Sequence, residues 1–167
     1  MVIMAAFSIA PIGVLTSGWA SNNKYSMIGG MRSAAQLMSY EIPLLLSMAG
    51  VFLLAGSYNP VDIVEQQREA TWLFGLPMWN FIPQFIGFIV FMICILAEVE
   101  RVPFDLPEAE AELVEGWTTE YSGIRYMLFL AAEYIRGFAG AAVATILFLG
   151  GWACLLYTSD AADEGHC

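Results

Sequence analysis

Charge is scarce in this sequence, and positive charge scarcest of all. Only 13% of its 167 residues are charged, with 6 Lys and Arg against 16 Asp and Glu. A soluble domain of this length carries about 25% charged residues. A net charge of −10 leaves no basic surface for a phosphate backbone, which argues against nucleic acid as a partner. Histidine is nearly absent, and the three cysteines stand far apart at positions 94, 154 and 167. That spacing offers neither a CxxC pair nor a zinc pattern with His166. Cys94 falls inside an apolar run and reads as a buried, inert thiol. A glycine-rich phosphate loop and a nucleophile–base arrangement are also lacking. No charged n-region precedes the first apolar stretch, "MVIMAAFSIAPIGVLTSGWA", so a secretory signal is not indicated. Starting inside such a stretch is more natural for a piece of a longer chain.

What the chain does have is hydrophobic residues, 59% of the total, in runs long enough to cross a bilayer. About 20 residues of helix span the roughly 30 Å of hydrocarbon. Four runs qualify, at about 1–19, 38–58, 78–97 and 124–152. They must be helices, because an open sheet leaves its backbone unsatisfied in lipid and these runs do not alternate as barrel strands do. The expected fold is therefore all-α: a polytopic membrane protein of about four transmembrane helices plus short loop helices, covering residues 1–153. Trp19, Trp72, Trp79, Trp117 and Trp152 fall at or beyond the run ends, where amphipathic rings favour the headgroup layer. Lys24, Arg32 and Arg101, with Arg125 beside them, mark the loops at 20–37 and 98–124, against Arg68 alone in the loop at 59–77. The bias places the first and third loops inside, on the cytoplasmic or matrix side. Residues 154–167 end in "SDAADEGHC", a polar tail unlike the rest. Of cleavage, a small acidic tail and non-native sequence from a cloning or sequencing junction, the last fits best, and no function is drawn from it.

Acidic residues are concentrated in "AEVERVPFDLPEAEAELVEGWTTEYSG", residues 97–123, which holds seven glutamates, one aspartate and one arginine. "DLPE" has the logic of a helix start, with Asp105 as N-cap, Pro107 in the first turn and Glu108 three residues on. Gly116 suits the end of that helix. Glu108 and Glu112 then share a face, while Glu110 points elsewhere. Like charges at this spacing repel, and near a low-dielectric boundary some carboxyls hold their protons to higher pH. Arg101 is placed to keep one or two of them ionised. A solvated acidic loop without chemistry is the plain alternative. Against it stand Glu41, Glu98 and Glu133, which lie within or at the ends of spans, where ionisable groups are rare and usually functional. All three lie towards the ends of their helices that face the acidic loop. A structural ion pair of Glu133 with Arg136, one turn away, and snorkelling of Glu98 to the interface remain open beside a proton path. Gly137 with Ala141, and Gly140 with Ala144, put small residues four apart, suited to close helix packing.

Those same residues resemble a known family. "AEVERVPFDLPEAEAELVEGWTTEYSG" resembles the hallmark loop of the H subunit of bacterial NADH:quinone oxidoreductase, called subunit 1 in mitochondrial respiratory complex I. "SGWASNNKYSMIGGMRSAAQLMSYEIPL" resembles that family's preceding inner loop and helix start, and "FLAAEYIRGF" its next helix. The resemblance runs through residues 1–153. It implies part of an eight-helix subunit at the joint of the membrane and peripheral arms, in a bacterial inner (plasma) membrane, with the acidic loop cytoplasmic. The family helps form the chamber where quinone is reduced, and its carboxylates are thought to begin the proton path. On that resemblance the proton path comprises Glu41, Glu98, Glu108, Glu110, Glu112, Glu120 and Glu133. Arg32, Arg101 and Asp105 match polar positions of the family's loops, and Arg136 is a further charge partner. Tyr126 and Leu130 are candidates for quinone contact.

The resemblance also implies no metal or cofactor on this chain. Quinone is the substrate, and FMN and iron–sulfur clusters sit in partner subunits. Those partners are the quinone-site peripheral subunits and adjacent membrane-arm subunits. Two departures stand out: Glu100, where the family often has Asn, and Glu115, where smaller residues are common. About half the family's length is missing, including a basic loop that lines the chamber. Competing readings are the homologous membrane subunit of a membrane-bound hydrogenase, a structural anchor for the peripheral arm, and a secondary transporter. The last would show repeated halves with broken helices, and no internal repeat is found.

Overall fold

The computed structural model describes residues 2–69, 79–105 and 116–152. Among these residues all regular structure is helical: α1 (Val2–Phe7), α2 (Ala10–Ala20), α3 (Lys24–Ala55), α4 (Pro60–Glu69), α5 (Phe85–Glu98) and α6 (Ile124–Phe148), with a 3₁₀ turn at Gly116–Thr118. The 32-residue α3 and the 25-residue α6 are each long and apolar enough to cross a membrane. Ala5–Ala20 and Phe85–Glu98 are shorter apolar helical stretches.

Several boundaries differ from the sequence-based expectation. The segment 20–37, read as a loop, is helical from Lys24 onward, so α3 is far longer than the run at 38–58. Its glycines, serines and basic residues disguised it, but their spacing is helical and the backbone is hydrogen-bonded throughout. Only a short turn at 21–23 separates it from α2. Asn22 takes a left-handed φ of +50°, which Asn tolerates better than most residues. The Asn23 side chain then accepts from the Tyr25 N–H at 3.1 Å. The loop at 59–77 begins with a helix, α4, whose start is a polar knot: Asn59 accepts from the Val61 N–H and donates to Asp62, with Pro60 at the first helical position. The third span is described as helix only from Phe85, after turns at 80–84.

The chain forms two compact units. The first comprises residues 1–44 and 93–139. Here α2 and α3 approach backbone to backbone. A Cβ on Gly18 would lie 2.9 Å from the Ser26 carbonyl oxygen and 3.2 Å from Gly30 Cα. The 3₁₀ turn sits equally close to α3, since a Cβ on Gly29 would lie 2.7 Å from Trp117 N and 2.8 Å from Gly116 Cα. Val14, Leu37 and Trp117 form the core, with Phe129 against Trp117 edge-on at 4.9 Å. Trp117 is thus 6% exposed and packs inside the unit. Trp19 and Trp152 are exposed.

The second unit comprises residues 45–92 and 140–167, as far as it is described. Phe148 packs against Phe88 and Phe91 with ring centroids 5.4 and 5.3 Å apart. The last carbonyls of a helix need outside donors, and α6 finds them on α4 and the 79–84 turn. Gln67 Nε2 donates to the Ile146 and Leu147 carbonyls at 3.3 Å, Asn80 Nδ2 donates to Leu147 at 3.1 Å, and the Asn80 N–H donates to Gln67 Oε1 at 3.3 Å. Gly140 and Ala144, expected to admit a neighbouring helix, are buried within this unit.

Two outcomes follow from this packing. Gly29→Ala forces a methyl group into backbone that cannot yield, and should cost about 1–3 kcal/mol, the usual range for overpacking. Thermal unfolding followed by Trp117 fluorescence is the check. Gln67→Leu keeps the bulk but strands buried carbonyls, at about 1–3 kcal/mol, and should speed hydrogen exchange at the Asn80 amide.

Candidate functional site

The start of the acidic segment is shaped by how α5 ends. The Glu100 N–H donates to the Ala97 carbonyl and the Arg101 N–H to the Leu96 carbonyl, both at 3.3 Å. This is a Schellman ending, with Glu100 in the left-handed position at φ +52°. Glycine or Asn is usual there, because a Cβ in that conformation crowds the backbone. The turn points the chain back across α3, where Gln36 Nε2 donates to the Ala97 carbonyl at 3.1 Å and the Phe104 carbonyl at 2.9 Å. Phe104 stacks edge-on against Tyr40 at 5.3 Å. The far end of the segment is pinned too: Ser26 Oγ donates to the Trp117 carbonyl at 3.1 Å and Tyr121 Oη to the Ser17 carbonyl at 2.9 Å.

Between these anchors the first unit gathers carboxylates from three helices and a turn. Glu98, at the end of α5, is 3% exposed, and Glu100 is 4% exposed. Arg136 Nη1 on α6 lies 4.0 Å from Glu98 Oε1, and Arg101 Nε lies 3.2 Å from Glu133 Oε1. The Arg101 guanidinium also covers the Tyr134 ring at 5.0 Å. Ser33 Oγ on α3 donates to Glu100 Oε1. Glu41, half-buried on α3, accepts from Ser8 Oγ and lies within electrostatic range of Glu98. Beside this row is a cavity of about 190 Å³. Glu100, Glu133 and Arg136 form its polar wall, and Val14, Trp117, Tyr126, Phe129 and Leu130 line it as well.

Burial pushes the Glu100 carboxyl above its ordinary range, and the Glu133 charge adds to this. The Ser33 hydrogen bond and the Arg136 charge oppose the shift without cancelling it. The arrangement can hold a proton on Glu100 above the ordinary carboxyl range at a site reached from a cavity, with cations at hand to offset the charge when the proton leaves.

The residues singled out in the sequence fare differently. Glu41, Glu98 and Glu133 lie in the same unit, along with Arg101 and Arg136. One pairing differs from that expected, since Arg136 faces Glu98 rather than Glu133. Arg101 pairs with Glu133, while the glutamates at 108–115 that it was expected to hold lie outside the described residues. Side-chain direction at the α5 terminus, not sequence spacing, decides this. Glu120 stands apart from the row, exposed and accepting from Asn23 Nδ2 at 2.8 Å. Arg32 lies on an exposed face of α3. Asp105 is partly buried, and its Oδ1 accepts no hydrogen bond among the described residues. Its expected role as N-cap, with Glu108, Glu110, Glu112 and Glu115, lies outside the described residues, as do Trp72, Cys154, Cys167 and His166. Tyr126 and Leu130 do share the cavity with the acidic wall. Ser33 and Gln36 were missed. The signal was present, since Ser26, Gly30, Ser33, Leu37 and Leu44 recur at helical spacing as one buried stripe.

Two apolar helices of spanning length, with carboxylates set beside arginines, fit a membrane protein. Residues 1–161 match the NADH dehydrogenase family, and the chain belongs to it. It is 56% identical over 149 residues to the H subunit of NADH-quinone oxidoreductase from Brevibacillus brevis, covering 89% of this chain and 42% of that one. Identity to the corresponding protein of Bacillus cytotoxicus is 53% over 154 residues, covering 92% and 44%, and to that of Geobacillus thermodenitrificans 55% over 149 residues, covering 89% and 42%. The chain thus spans less than half the length of these curated relatives.

The raised affinity of Glu100 for its proton has a sign. A carboxyl that binds its proton more tightly when folded favours the fold at low pH, and that contribution is lost as pH rises through the folded-state value. Glu100→Gln should therefore be more stable than the parent at neutral and alkaline pH, with the difference vanishing in acid. Melting temperature measured against pH in detergent or nanodiscs tests this.

Proposed function

We propose that this chain works as the central part of the H-type membrane subunit of a proton-translocating NADH:quinone oxidoreductase. The observation that carries the reading is a cluster of carboxyls in one unit: Glu98 is buried beside Arg136, Glu133 is paired with Arg101 at a cavity wall, and half-buried Glu41 is within electrostatic range of Glu98. The names of the relatives favour it over the related hydrogenase component. The row accepts protons from the acidic segment, where Glu108, Glu110, Glu112 and Glu120 gather them at the bilayer edge. Arg32, Arg101, Asp105 and Arg136 set their charge balance. The acidic side is cytoplasmic, in a bacterial plasma membrane.

Quinone is the substrate, and Tyr126 and Leu130 contribute to the wall of its chamber. FMN and iron–sulfur clusters belong to the peripheral subunits and deliver the electrons. The rest of the work falls to this chain's residues. Moving an anion or a proton near Glu133 changes how strongly Arg101 is engaged, and a change at Arg136 does the same for Glu98. The charge state of one carboxyl thereby biases the next, as expected for coupled titrations at close quarters.

Glu98→Gln and Glu133→Gln, made in the full-length protein within its complex, test this in membrane vesicles. Each should leave assembly intact and slow the affected proton-transfer step by about 10²-fold, typical of losing a positioned acid–base group. NADH-driven acidification and quinone reduction are the readouts. Unchanged pumping in both variants sinks the proposal.

A further inference from the structure

Glu100 is costly where it stands. It occupies the left-handed position of the α5 ending, where a side chain bearing a Cβ is strained, and it is 4% exposed. A cap alone needs neither the charge nor the length of a glutamate, and glycine or Asn would serve with less strain. Yet the side chain is held rather than expelled: Ser33 donates to it from α3, and it forms part of the cavity wall with Glu133 and Arg136 of α6. A local rule broken with this much support from neighbouring elements points to a role beyond packing.

We propose that Glu100 is a further proton-carrying residue of this site, exchanging its proton with Glu133 across the cavity and positioned for that by the Ser33 hydroxyl. The inference rests on the proton-path reading above and adds a carboxyl that it does not contain. The cavity of about 190 Å³ has room for several waters, since each needs about 10–15 Å³ measured with a water-sized probe. Its polar wall offers the partners those waters require. The groups facing Glu100 are Ser33 from α3, Glu98 from α5, and Glu133 and Arg136 from α6, with Trp117 of the 3₁₀ turn lining the same cavity. Ionised, Glu100 accepts from Ser33 and is stabilised by Arg136. Protonated, it releases that demand, and the Ser33 O–H is free to turn. A proton leaving Glu100 passes to water in the cavity and on to ionised Glu133, so each carboxyl gains the charge the other loses. The tilt of the carboxyl toward its protonated form suits a residue loaded first and emptied second.

The test uses the full-length protein in its assembled complex, reconstituted in liposomes, with NADH-driven proton pumping and quinone reduction measured across pH. Four variants are compared: Glu100→Gln, Glu100→Asn, Glu100→Asp and Ser33→Ala. Gln and Asn should lower pumping several-fold and remove one titration from the pH profile, while Asp restores most of both. Ser33→Ala should move that titration to higher pH, because the ionised carboxylate loses a donor. Asn suits the left-handed position, so it tests proton loss where Gln fails to assemble. Wild-type pumping with an unaltered pH profile in both Gln and Asn variants overturns the inference. Glu133→Gln measured alongside separates the two failures. If it is impaired, only the Glu100 role falls, and if it too is normal, the proton-path reading falls with it.

Discussion

An ionised carboxylate inside an apolar surround must be matched by a cation or by hydrogen-bond donors, or it gives up its charge. The first compact unit is organised around that constraint. Glu98 has Arg136, Glu133 has Arg101, Glu100 has Ser33, and Glu41 has Ser8. The compensation is incomplete, because the pair at 4.0 Å is loose and a hydroxyl is a weaker match than a guanidinium. For Glu100, burial beside so slight a match leaves the carboxyl holding its proton above the ordinary range. A fully satisfied set would be structural, and an unmatched set would not fold.

The scaffold for this is the N-terminal half of α3. Its small residues let α2 and the 3₁₀ turn reach its backbone, and Ser26, Ser33 and Gln36 convert that close approach into directed hydrogen bonds. Both ends of the acidic segment are therefore tied to one rigid element. Loops that carry function are usually positioned by such a frame. Here the frame is a helix face whose polar residues look, in one dimension, like a surface.

The second unit solves a different problem with similar means. In it the end of α6 must find donors for its last carbonyls, and Gln67 and Asn80 supply them from inside the fold. Aromatic packing around Phe148 accompanies the polar cluster. The donors here are neutral amides.

The sequence by itself determined the class, since long uncharged runs admit only helices in lipid, and a few intramembrane carboxylates among them stand out by rarity. It also determined the family resemblance, and with it Glu41, Glu98 and Glu133 as the residues to watch. Tertiary structure decided which charge meets which. Arg136 is one turn from Glu133 in sequence yet serves Glu98, because α5 ends beside it. It decided that residues 24–37 are helix, whose glycines weaken a propensity reading although their small size is what permits the packing. It decided that Trp117 packs inside the unit against Phe129. And it turned Glu100 from an unexplained departure into a buried wall of a cavity, because a left-handed residue at a helix end aims its side chain where no periodicity can say.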